Sequence, residues 1–207
     1  GLFVSVLISC EGVTDISPKD SLTDASYWSK VEDLKLYANN LYTNLSAPGV
    51  DKDNVSDNCI TTNYSSYLFN ETTIPSTASE AGWTWGNIRN CNFFLTRYQK
   101  VQAAPSEVNP YVAEVRFFRA LDYFGKIKQF GDVPWYDKDL QTADTDELYK
   151  PRDTRDFVLG KIIEDLEFAI QWLPDADKAE KGRLNKDAAH NQLARVCLHE
   201  KKNKKYH

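Results

Sequence analysis

Two clusters of side chains have the types and spacing to do chemistry. Asp57, Asn58, Asn63, Tyr64 and Tyr67 lie inside a stretch from Ala47 to Ser79 that reads DKDNVSDNC, TTNYSSY and NETTIPSTAS. Trp83 and Trp85 follow, one residue apart. Carboxylates, planar amides and hydroxyls beside aromatic faces suit a carbohydrate, whose rings have apolar faces and hydroxyl edges. That chemistry is binding rather than bond breaking. The plainer reading is also open: a polar surface loop, and two tryptophans that pack the start of a helix. Arg89 and Asn92, just beyond, are expected to orient the neighbouring loop rather than touch a ligand.

Cys10 carries a different chemistry. Gly1 to Ser9, GLFVSVLIS, is apolar but too short to span a bilayer, and it has the character of a signal-peptide core. Leu7-Ile8-Ser9-Cys10 fits a bacterial lipobox, in which the Cys is acylated and the acyl chains anchor the protein. The alternative is a short buried strand ending at a core Cys. The expected organisation is a signal-peptide remnant over 1–9, a lipidated tether over 10–21 and a helical domain over 22–207. The sequence lacks an initiator Met and ends without a helix stop signal, so a fragment of a longer protein is expected.

Other chemistries find no support. The three His, at 190, 199 and 207, share no zinc spacing with Cys or acidic residues, so no metal and no cofactor is expected. A glycosidase needs two carboxylates facing each other at roughly 5–9 Å, and nothing in the sequence singles out such a pair. No nucleophile elbow, zinc-protease motif or phosphate loop occurs. A net charge of −5 gives no argument for nucleic acid. Of the remaining cysteines, Cys59, Cys91 and Cys197, buried free thiols are expected, with one disulfide the alternative for an exported protein.

The elements that must position these residues are helical. In 207 residues, 42% hydrophobic and 13% aromatic, there is material for one sizeable core. Trp28, Val31, Leu34, Ala38, Leu41 and Leu45 recur at spacings of three and four and predict a helix over 26–45. Ile88, Cys91, Tyr98 and Val101 predict a second over 81–101. Between Asn109 and Pro134 the apolar residues recur every three, from Val112 to Phe130. That period winds round a helix, so this one is expected to be buried by several neighbours. Asn109 and Pro110 read as its start, Gly131 as its end, and Gly125 as a kink or close contact. Residues 103–107 read as a linker and 135–150 as surface loop. A helix capped by Asp153 or Thr154 runs to Trp172, with Glu164, Asp165 and Glu167 on its wet side. The last helix opens at Asn185 and pairs with it as an antiparallel hairpin. A tetratricopeptide-like stack is compatible, although no 34-residue repeat is visible.

Five stretches in order then resemble one family. They are the lipobox, S-Y-W-x-x-x-E-D-L, W-T-W-G-N-I-R-N-C-N, R-F-F-R-A-L-D-Y-F with F-G-D-V-P-W, and the pair E-D-L-E-x-A-I-x-W-L-P and G-R-x-N-K-x-A-A-x-x-x-L-A-R-V-C-L. Together they are similar to the SusD/RagB family of outer-membrane nutrient-binding lipoproteins. The resemblance implies a mainly α fold of tetratricopeptide-like antiparallel helix pairs with long ligand loops, of which this chain is the N-terminal part. It implies a lipid-anchored protein on the exterior of the outer membrane. Such a protein binds an oligosaccharide or polysaccharide, without catalysis, and passes it to a SusC-like TonB-dependent barrel. A helical-repeat adaptor and, more remotely, a glycoside hydrolase are the competing readings.

Overall fold

The computed structural model describes residues 27–45, 71 and 74–201. The Ala47–Ser79 cluster of Asp57, Asn58, Asn63, Tyr64 and Tyr67 lies outside the described residues, as do Cys10 and Cys59. The chain between is helical: α1 (Val31–Leu41), α2 (Gly86–Leu95), α3 (Pro105–Phe130), the single turn α4 (Thr145–Leu148), α5 (Arg155–Trp172) and α6 (Lys186–His199). Among the described residues no helix is long and apolar enough to cross a membrane.

The all-round apolar pattern of the central stretch has the predicted consequence. α3 packs against α1, α2, α5 and α6. It buries Val112, Val115, Phe117, Phe118, Tyr123, Phe124 and Ile127 on different sides. A helix with one apolar stripe can serve one neighbour, whereas this one serves four. Successive long helices run antiparallel. Phe93 and Phe94 near the end of α2 meet Tyr37 of α1 and Trp28 before it. Asn92 meets Arg119, and Trp85 meets Tyr123, so α2 and α3 run in opposite directions. Asp132 after α3 accepts from Arg155 N at 2.8 Å at the start of α5. Glu200 after α6 returns to that same Arg155 at 2.6 Å. The expected antiparallel helix pairs are therefore present.

Helix boundaries differ from expectation where side chains compete for backbone groups. α1 opens at Val31 because Asp33 Oδ2 reaches back to Ser29 N and Lys30 N at 3.1 and 3.0 Å, which fixes the turn before it. α2 opens at Gly86 rather than Ala81. Gly82 sits at φ +76, a conformation no helix passes through. α3 opens five residues before Pro110. Pro105 takes the first helical position, and Glu107 Oε2 accepts from Ala104 N at 3.2 Å. Pro110 is consequently inside the helix. The carbonyl it leaves unpaired belongs to Ser106, an exposed residue that water can reach. Gly125 marks no close contact, since a Cβ there would meet nothing within 4 Å.

Of the two caps open for α5 the structure uses Thr154, and α6 uses Asn185 as expected. Thr154 Oγ1 accepts from Phe157 N at 3.4 Å, and Asn185 Oδ1 from Ala188 N at 3.0 Å. Asp165, expected on the wet side of α5, is 1% exposed instead. It accepts from Arg116 Nε at 2.6 Å and from Arg119 Nε and Nη2 at 2.7 and 2.8 Å. Cys91 is a buried free thiol, and Cys197 is buried in the same core.

Candidate functional site

Trp83 and Trp85 owe their position to α3. The turn at 76–82 closes through Trp83 N to Ala78 O at 2.8 Å, so the chain enters α2 with the indoles on adjacent sides. Two α3 side chains then hold the backbone between them. Gln129 Nε2 donates to Ala81 O at 2.6 Å, and Lys126 Nζ donates to Thr84 O. Trp83 stands edge-on to Trp85, with centroids 5.2 Å apart, and edge-on to Phe130 at 4.8 Å. Both rings are half-buried. Lys126 Nζ lies 4.8 Å over Trp85, and the Arg152 guanidinium lies 4.9 Å over Trp83. Burial draws the Lys126 ammonium below the ordinary lysine range, while Asp122 pulls it back. Such cation–aromatic contacts fix the ring planes as well as stabilising them.

The opposite wall comes from residues 134–152. This segment is not the simple surface loop its polarity suggests. Trp135 is buried against Tyr123, with centroids 4.2 Å apart. The Tyr123 hydroxyl accepts from Tyr136 N at 2.7 Å and donates to Tyr136 O at 3.3 Å. Burial pushes that phenol well above the usual tyrosine range, so it stays a neutral donor and acceptor. Asn92 Nδ2 also donates to Tyr136 O, at 2.8 Å. Tyr136 in turn donates to Leu148 O at 3.0 Å and closes the short helix α4 against the wall. Asn92 thus orients the 134–152 segment. Arg89 instead projects from the rim, with its side chain 65% exposed.

Between the walls is a cleft of about 600 Å³. Trp83, Trp85 and Ile88 line one side, and Tyr136, Leu140, Leu148 and Tyr149 the other. Arg89, Lys138, Lys150 and Arg152 stand round it with Gln141 and Thr142. The size and the aromatic walls suit a small oligomer. Tyr149 is 85% exposed and is the ring with the most free face. Sequence reasoning missed Tyr136 and Tyr149, although two tyrosines in a polar segment were a usable signal. No Asp or Glu lines the cleft among the described residues, so no carboxylate pair faces it.

Of the residues proposed from sequence, the structure brings Trp83 and Trp85 together in this cleft. Asp57, Asn58, Asn63, Tyr64 and Tyr67 lie outside the described residues. Among the described residues, no group of three or more His, Cys, Asp or Glu side chains forms a metal site.

Residues 14–198 match the model of a SusD-like family described as starch-binding and associating with the outer membrane. A SusD-like protein of Formosa agariphila is 26% identical over 176 residues, which cover 80% of this chain and 35% of that protein. The crystal structure of a SusD-like protein from Bacteroides fragilis superposes with a TM-score of 0.72 at 30% identity, covering 90% of this chain and 38% of that one. A laminarin-binding SusD-like protein superposes with a TM-score of 0.51 at 28% identity, covering 62% of this chain and 27% of that one. The chain therefore spans little more than a third of the length of the Formosa agariphila relative and of the Bacteroides fragilis structure.

Proposed function

The chain belongs to the SusD-like family, and on that premise we propose that it is part of an outer-membrane surface lipoprotein that binds a glycan and hands it to a transporter. Cys10 carries the lipid anchor, residues 1–9 are the remnant of the export signal, and residues 10–21 are the tether. The helical domain faces the exterior. The partner is a SusC-like TonB-dependent barrel, over which the protein acts as a lid. The ligand is an oligosaccharide or polysaccharide, and no bond in it is broken.

The observation that carries the binding reading is the aromatic cleft between Trp83, Trp85, Tyr136 and Tyr149. Indole and phenol faces bury the apolar face of a pyranose ring, and donors at the rim reach its oxygens. Trp83 and Trp85 each carry a cation and stand edge-on to each other, so they form wall more than platform. Tyr149 is the platform. Asp57, Asn58, Asn63, Tyr64 and Tyr67 are the proposed second set of contacts.

Tyr149→Ala in the full-length protein tests this. Calorimetric titration with soluble starch and laminarin oligomers should show affinity falling about tenfold, the loss of one stacked ring. The exposed ring contributes little to folding, so the melting temperature should hold. Unchanged affinity would remove the cleft from the binding site.

A further inference from the structure

The charge of the cleft runs against the charge of the chain. The sequence carries a net −5, yet the cleft is lined by Arg89, Lys138, Lys150 and Arg152 with no carboxylate among its described residues. Lys150 is matched from behind by Glu147 at 3.0 Å and Asp153 at 3.6 Å. Among the described residues the other three are matched more weakly or not at all. Arg89 has, among the described residues, Asp139 Oδ1 at 3.9 Å, an ion pair too long for a hydrogen bond, while Asp139 Oδ2 is taken by Arg97 at 2.8 Å. Arg152 donates to Asp132 O at 3.4 Å and lies over Trp83. Lys138 is exposed.

Hydrogen-bonding capacity points the same way. Arg and Lys donate and never accept. The side-chain acceptors in the lining are neutral ones, Gln141, Thr142 and the hydroxyls of Tyr136 and Tyr149. Asn92 spends Oδ1 on Arg119 and Nδ2 on Tyr136 O. Tyr136 donates its proton to Leu148 O, which leaves its oxygen able only to accept. Every formally charged side chain in the described lining is a donor, and the apolar walls strengthen the field of these cations. A neutral sugar presents hydroxyls that both donate and accept, whereas a carboxylate or sulfate only accepts.

Building on the glycan reading above, we infer that the cleft selects an anionic oligosaccharide, bearing carboxylate or sulfate groups, over a neutral one. Arg89, Lys138 and Arg152 are the residues that select it.

Affinity electrophoresis of the full-length protein tests this with backbone-matched probes. Polygalacturonate is paired with its methyl ester, and dextran sulfate with dextran. Retention should be at least about tenfold stronger in one charged gel than in its neutral partner, and should weaken as salt is raised. Retention by polygalacturonate assigns a carboxylate ligand, and by dextran sulfate a sulfate ligand. Lys138→Gln and Arg152→Gln should each weaken retention roughly fivefold, the worth of one exposed charge. Lys178→Gln, 68% exposed and outside the cleft, should change nothing. An equal loss from Lys178→Gln would mean general attraction of polyanions and would overturn the inference. Equal retention in charged and neutral gels, weakened by Tyr149→Ala, would overturn the charge selection and leave the glycan reading standing. Retention in none of the gels would overturn the charge selection, and the starch and laminarin titration would then decide the glycan reading.

Discussion

Asp165 shows how one residue can matter to a site it does not touch. Its carboxylate holds Arg116 and Arg119. Arg119 passes one N–H to Asn92 Oδ1 at 3.0 Å, and Asn92 holds Tyr136 O on the cleft wall. The Arg119 guanidinium also lies 4.9 Å over Trp135. A buried ion pair of this kind gains little over a well-packed apolar core, but removing one partner strands the other charge. Asp165→Asn should therefore cost about 3–5 kcal/mol of stability in urea titration. A cost under about 1 kcal/mol, typical of an exposed pair, would show that water reaches Arg119. The helical period placed Asp165 near the polar face, and sequence gave no sign that two arginines fifty positions away would come to meet it.

Helices are where the sequence could be tested glycine by glycine. Gly125 in α3 and Gly160 in α5 lie inside helices, with nothing within 4 Å of a Cβ built on either. Gly125→Ala and Gly160→Ala should each stabilise by about 0.5–1 kcal/mol, because alanine loses less backbone freedom on folding. Gly131 ends α3 at φ +71 and donates to Ile127 O at 3.1 Å. Gly131→Ala should cost about 1–2 kcal/mol, because an L side chain crowds the backbone at positive φ. Thermal unfolding of the three variants gives the signs directly. A destabilising Gly125→Ala would mean that the space beside it must stay open. The end of α3 at Gly131 was legible because Gly and then Pro134 follow an apolar run. Its start was not, because two prolines, Pro105 and Pro110, each fit the first turn. Glu107 closing on Ala104 N decides between them.

At the scale of the molecule, four long helices close on α3, and the two thiols of the core report on that closure. Cys91 lies between α2 and α3, and burial pushes its thiol up to about 12, against the pull of Arg119. Only the thiolate reacts, so a maleimide-type reagent at pH 8 should leave Cys91 unlabelled until the domain opens. Peptide mapping should show its labelling rate rising with urea along the global unfolding curve. Labelling within minutes in native buffer would show that α2 opens separately from the rest. By itself the sequence determined the helical class, the central buried helix, the cap at Asn185, the choice of Asp153 or Thr154 as the cap of α5, the antiparallel hairpin and the family, because these follow from local period, cap chemistry and ordered motifs. Only the tertiary structure decided that Asp165 is buried, that residues 134–152 form a wall, and that four cations gather round the aromatic rings. Those outcomes depend on residues far apart in the chain sharing one space, and a local pattern carries no record of its distant neighbours.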